Sequence, residues 1–521
     1  MPSFDAIVIG GGHNGLAAAA LLGKAGRKVV LLEADATLGG AARTVEFHPG
    51  FRASEVAHLV THLPVRVIDE LGLARHGLDI AGPSLPSIAL ERSGRHLVVT
   101  AGDVGGDVAE GEAAAFHDLN RKLALFAATL KPALAKAPPR LATRDRQSAL
   151  SLARLGLDIR RLGRRDMREL LRMILMNIAD VLDEELTDDR LKGLVAFDAT
   201  LGTHLGPMSP GSLLSYLYRL AGDVAGAPQR LILPKGGMGS VILALAGAAK
   251  AAGVLLRPGA PVERILVEGG RARGVVLEGG EKIEARLVVS AANPRQTLLD
   301  MVGARALDTD VVRRVSAIRM NGNAGRLLVA LDGLPEIAGL DRDRLAARMV
   351  IAPSMRAVEE AFNPAKYGEL PERPVMEMVL PSISDPSLAP AGRHVLSVTM
   401  QFVPYRLTGG WSEAAREELK ARVLSEIEAH LPGIGRLVRH AELMTPADIE
   451  RRCRMPGGHW HHGEMTVDQM FFLRPFQAAA QYSTPIDGLY LAGAGSHPGG
   501  NVMGLAAMNA VRTILETEGR R

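Results

Sequence analysis

The stretch VIGGGHNGLAAA, residues 8–19, limits the fold more tightly than any other part of the chain. Residues 6–9 read as a short buried strand, 14–25 as a helix and 28–32 as a second β-rich run, which together make a βαβ unit. Between strand and helix, Gly10, Gly12 and Gly15 hold the G-x-G-x-x-G spacing, with Asn14 opening the helix. The first glycine permits the tight turn, the second lets a pyrophosphate approach the backbone, and the third lets helix and strand pack closely, with the phosphate charge facing the helix N-terminus. Glu33 ends the second strand, where a carboxylate can accept hydrogen bonds from ribose hydroxyls. Such a unit belongs in a parallel sheet flanked by helices, so the fold class is α/β with a Rossmann-type dinucleotide domain.

At 521 residues the chain exceeds one ordinary core, which predicts two or three domains. Nucleotide-type signals return in the middle and at the end. Residues 233–259 read as a glycine turn, a helix and a strand, and 262–292 as a β-meander with two EGG turns. GLYLAGA at 488–494 gives a last strand, followed by a glycine-rich turn and a helix over 503–516. Between these lie helical signals from 110 to 220, where Asp166 and Glu169 form a capping pair and Met167, Leu170, Leu171, Ile174, Leu175 and Ile178 recur on one helical face. Residues 300–450 mix helices and strands. The expected organisation is a discontinuous dinucleotide domain from 1–80, 230–300 and 455–521, with an inserted, helix-rich α+β substrate domain from 81–229 and 301–454.

The opening turn serves both NAD and FAD, and the segment LGGAART separates them. Gly39, Gly40 and Arg43 bring further backbone N–H groups and a guanidinium toward a longer dinucleotide, which an NAD site does not need. LGGAART, the PKGGMGS block with its meander and the terminal DGLYLAGAGSHPGGNVMG together resemble the phytoene desaturase type of FAD-dependent oxidoreductase, within the wider amine-oxidase-like flavoprotein group. GGHWHHGEMTVDQMFFLRP, residues 457–475, is similar to the branch that includes pyridine nucleotide-disulfide oxidoreductase domain-containing protein 2. The resemblance implies FAD as cofactor, with Gly10, Gly12 and Gly15 at the diphosphate and Glu33 at the ribose. It implies Gly40 and Arg43 near the diphosphate and the flavin, and Val262 at the adenine. Gly493, Gly495, Ser496, Val502 and Met503 would close over the flavin, where a helix N-terminus stabilises negative charge on the reduced ring. After Gly-Phe, carotenoid desaturases carry an Asp-x-Gly-Pro-like stretch; this chain reads GFRASEVAHL, which points away from a carotenoid substrate.

A formal charge of +4 is small for this length and argues against nucleic-acid binding. Cys453 is the one cysteine, so neither an internal disulfide nor a dithiol relay is available, and a cytoplasmic setting is expected. No second NAD-type fingerprint appears, so electrons are expected to leave to oxygen, a quinone or a protein acceptor. His459, His461 and Glu464 are candidates for acid/base work beside the flavin, and His58 for lining the same site. Structural histidines explain HWHHGE as well, and no metal site is expected because it matches no zinc spacing. The arginine- and leucine-rich run at 140–175 fits either a membrane surface or a solvated helical face. The chain thus reads as a desaturase or dehydrogenase that passes hydride from an apolar substrate to flavin N5. A flavin amine oxidase, with Trp460, Phe471, Phe472 and Tyr482 as an aromatic cage, and a non-catalytic flavin-binding scaffold are the alternatives.

Overall fold

A computed structural model describes residues 3–80, 82–140 and 145–519. Two sheets and a helical layer make up the molecule. In the first sheet the parallel strands run in the order Leu255–Arg257, Val29–Leu32, Phe4–Ile9 and Lys282–Ser290, with Leu489–Leu491 pairing the last. The first half of Lys282–Ser290 pairs instead with Arg271–Leu277, which pairs with Val262–Glu268, so one long strand joins the parallel core to the meander. The helices His13–Lys24, Met238–Ala251 and Leu505–Glu518 share a core with one face of this sheet. Ala17 to Ala20 let the first helix lie close to its neighbours, since small side chains allow backbones to approach.

The second sheet has eight strands, in the order Val438–Met444, Ala324–Leu331, His394–Gln401, Met376–Val379, Arg348–Ile351, Ser87–Ala89, Leu97–Thr100 and Asp103–Gly106. All its pairings are antiparallel except Arg348–Ile351 with Ser87–Ala89. The four central strands are buried along nearly their whole length, so neither face is a solvent face.

The helical layer covers Glu112–Leu134 to Ser212–Leu220 around a core that includes Phe116, Phe126, Leu182 and Phe197. The expected capping pair does not form. Helix Gly163–Met173 starts without a side-chain cap, Asp166 lies inside its first turn, and Glu169 instead pairs with Arg172 at 2.8 Å. The apolar repeat from 167 to 178 is also divided between two helices. The chain breaks after Met173 and restarts at Ile178, where the Asn177 side chain accepts from the Asp180 N–H. Leu170 and Met173 are buried, while Leu171 and Leu175 remain 59% and 60% exposed. Among the described residues no helix is long and apolar enough to cross a membrane.

Candidate active site

The glycine turn forms one end of a trough of about 1060 Å³. Gly10 sits at φ +97°, and a Cβ on Gly15 would lie 1.8 Å from the Gly10 carbonyl oxygen, so both positions exclude larger residues. Gly12 is extended and caps the helix; a Cβ there would meet no protein atom within 4 Å, because it would project into the trough. Asn14, Glu33, Gly39, Gly40 and Val262 line the same space. The Glu33 carboxylate accepts from the N–H of Gly11 at 2.6 Å and of Asp35 at 2.8 Å. Burial raises its pKa, and those two N–H groups oppose the rise.

Arg43 departs from the expected position at the diphosphate. Its guanidinium pairs with Glu55, with Asp35 at 3.0 Å and with the Arg452 carbonyl at 2.9 Å, and it does not line the trough. Nearer carboxylates capture it, so Arg43 ties the segment after Glu33 to the following hairpin. The closing segment divides its tasks. Gly493 and Gly495 lie where a Cβ would come within 2.4 Å of Ala291 and Pro294, which seats Ala494 on the trough. Val502 faces the neighbouring chamber, and Met503 packs with Tyr218, Met465 and Met470. The trough therefore does not contain Val502 or Met503.

Next to the trough lies a second cavity, a chamber of about 1130 Å³ that shares His13, Ala41 and Trp460 with it. On the trough lining, His13 Nε2, Asn14 Oδ1 and His462 Nδ1 are shut off from solvent without a protein partner, as are His461 Nδ1, against Gly500, and Ser496 Oγ, which lines neither cavity. Buried polar atoms are rarely left unpaired, so the three on the trough lining fit a polar group laid along it. The glycine cradle and Glu33 fit the diphosphate and ribose of a dinucleotide in the same way.

The four catalytic candidates separate in the structure. His461 lines the chamber, whereas His459 and Glu464 stand behind it. His459 Nδ1 accepts from the His461 N–H at 3.3 Å, and Glu464 pairs outward with Arg319 at 3.0 Å. The loop is held by Arg474, fully buried, which donates to the carbonyls of His461, Gly463, Glu464, Gln469 and Ala494. Burial and the Arg474 charge keep the loop histidines neutral: His459 is lowered to about 3, His462 to about 4, and His461 well below its ordinary value, with His459 adding to the Arg474 effect. His58 also lines the chamber, but both nitrogens are engaged. Its Nε2 donates to Glu377 at 2.9 Å, and its Nδ1 accepts from Arg326 at 3.1 Å, so the ring is neutral and has no lone pair to offer.

The aromatic cage is not assembled. Only Trp460 of the four aromatics reaches the chamber; Tyr482 is buried with its hydroxyl on the His497 carbonyl, and Phe472 borders a separate surface cleft. Sequence reasoning missed His62, Asp198, Tyr218, Arg219 and Glu377, which line the chamber from distant elements and carry no local motif. His13 was within reach, since it lies inside the glycine motif itself. Cys453 borders the trough; burial pushes its thiol up to about 12, with Glu55 adding to the shift, which makes it a poor nucleophile.

A model of the family described as flavin containing amine oxidoreductase matches residues 15–513, and the chain belongs to that family. It is an FAD flavoprotein of the oxidoreductase class that spans amine oxidases and desaturases. It is 34% identical over 548 residues to pyridine nucleotide-disulfide oxidoreductase domain-containing protein 2 of Rattus norvegicus, covering 99% of this chain and 94% of the relative. It is 28% identical over 290 residues to the phytoene desaturase (neurosporene-forming) of Cereibacter sphaeroides, covering 55% and 54%. The fold is similar to that of cyclohexylamine oxidase from Brevibacterium oxydans, with a TM-score of 0.60 at 15% identity over 100% of both chains.

Proposed function

We propose that this protein is an FAD-dependent dehydrogenase that removes hydride from a C–H bond of a largely apolar substrate, forming a C=C bond or oxidising an equivalent carbon. The observation that carries this reading is the continuity of trough and chamber across His13, Ala41 and Trp460. When bound, FAD would supply the hydride acceptor, with oxygen or a quinone as the final electron acceptor. Gly10, Gly12, Gly15 and Glu33 hold the dinucleotide, and the helix that Gly12 caps turns its N–H groups toward the phosphates. Val56, Leu201 and Met465 help exclude water from the chamber. Forming a C=C bond also releases a proton from the adjacent carbon. His461, which lines the chamber, is the proposed acceptor of that proton.

The test is an anaerobic screen of the FAD-loaded protein that follows loss of oxidised-flavin absorbance. Bleaching by apolar compounds supports the reading. A colourless protein that refuses FAD, or one reduced by amines alone, overturns it.

A lipid surface is proposed for helix Arg146–Arg161, the described part of the basic run; residues 141–144 lie outside the described residues. Arg146, Leu150, Arg154, Leu157 and Arg161 follow one another along one face, and Leu150 and Leu157 are exposed. Co-sedimentation with phosphatidylglycerol vesicles, lost on Leu150→Ser with Leu157→Ser, is the expected result; no binding to these vesicles overturns it.

A further inference from the structure

The chamber opens in two directions. On one side it meets the trough; on the other it shares Thr61, Asp198 and Arg219 with a side cavity of about 750 Å³, where Asn120, Gln229 and Arg230 add polar groups. Part of the chamber wall is the face of the second sheet, from which Thr399 and Glu377 line it. Arg326, Thr399 and Glu377 are cross-strand neighbours in register, and Arg348 stands on the next strand. A sheet face in this position would ordinarily be apolar, so the row needs an account.

The ion pairs along this wall form one connected set. Arg219 contacts Asp198 at 3.1 Å, Arg348 reaches both Asp198 and Glu377, Glu377 accepts from neutral His58, and His58 accepts from Arg326. Three guanidinium groups thus face two carboxylates, which leaves one positive charge in excess. Arg326 and Arg348 are fully buried, and Arg326 spends its donors on the carbonyls of Ser54 and Glu55, on Ser397, on Thr399 and on His58. Arg326 therefore acts on the chamber as a fixed charge and not as a contact. Both carboxylates line the chamber but are already paired with Arg348. Arg219 differs from the other two. It lies on helix Ser212–Leu220 with Ser215 and Tyr218 on the same face, lines both cavities, and its ion pair among the described residues is a single Nη2 contact to Asp198. A buried wall with an unbalanced positive charge attracts an anion, and a planar guanidinium matches a carboxylate.

We propose that the substrate is an amphiphile whose carbon body fills the chamber and whose carboxylate is held by Arg219 at the opening into the polar side cavity. This rests on the dehydrogenase reading of the chamber and narrows it. Neutral hydrocarbons leave the charge excess unanswered, and primary ammonium ions meet it with repulsion.

Isothermal titration of the FAD-loaded protein with dodecanoate, methyl dodecanoate and dodecylamine, each below its micellar concentration, tests the assignment. Dodecanoate is expected to bind at least about tenfold more tightly than either of the others, the worth of one charge-assisted hydrogen bond. Arg219→Gln should remove that preference while leaving methyl dodecanoate and the flavin content unchanged, and Arg219→Lys should restore part of it. Failure of dodecanoate to bind, equal affinity for acid and ester, or tighter binding of the amine overturns the proposal, and the wild-type series decides this even if Arg219→Gln does not fold. Should a neutral hydrocarbon bleach the flavin while acid and ester bind alike, the dehydrogenase reading survives and the carboxylate assignment fails.

Discussion

Trough and chamber touch at His13, yet they are built on opposite plans. The trough is organised by backbone: glycines from two short segments, a helix N-terminus and the Glu33 carboxylate, whose oxygens are already fixed by N–H groups. The chamber is mostly side chains, brought together from segments as far apart in sequence as His58 and Glu377. A backbone-lined site depends on the absence of side chains and fails when one is added. A side-chain-lined site depends on mutual compensation, and removing one member exposes the others. The two regions should therefore break differently.

The largest effect is expected at Gly15. A Cβ there meets the Gly10 carbonyl at 1.8 Å, so Gly15→Val should yield a protein with almost no bound flavin, measured as visible absorbance per chain. Retention of a full complement of FAD would show that the turn is not what holds it. Next comes Glu377→Gln, which leaves Arg348 with one carboxylate in place of two. Loss of about 3 kcal/mol of stability in chemical denaturation is expected, with flavin content intact. Flavin loss in parallel with stability would mean that trough and chamber are one cooperative unit.

Acidification probes the junction between them. Burial holds His13, His58, His62 and His462 each at about 4, against 6.5 for a free imidazole. The unfolded chain therefore binds more protons than the folded one between these values. Stability should be constant above pH 6.5 and fall as pH drops toward 4, by up to about 1.4 kcal/mol per pH unit for each histidine. A flat stability profile between pH 6.5 and 4.5 would show that these rings are not buried as described. The smallest and sharpest test is Gly12→Ala. Its Cβ meets no protein atom, so thermal unfolding of the FAD-free protein should not move, while FAD affinity drops about tenfold, or about 1.4 kcal/mol. An unchanged FAD affinity would remove Gly12 from the phosphate cradle.

Legibility in the sequence follows the same division. The βαβ unit, the meander with its EGG turns and the last strand were readable because each is a local pattern of glycines and β-branched residues. The capping pair at Asp166 and Glu169 was misread because the same residue spacing also arises inside a helix, where Arg172 offers Glu169 a better partner. Arg43 was misassigned for a related reason. Its type suits a phosphate, but Asp35 and Glu55 stand closer once the hairpin folds back. Within HWHHGE only the fold separates His461 at the wall from His459 and Glu464 behind it.

By itself the sequence determined that a dinucleotide is held, and by which turn, since a glycine motif acts through the conformation of a few consecutive residues. Only the tertiary structure decided what faces that dinucleotide. The wall of Arg326, Thr399 and Glu377 exists because three strands distant in the chain lie in register, and the charge it carries is a sum over side chains that no local pattern connects.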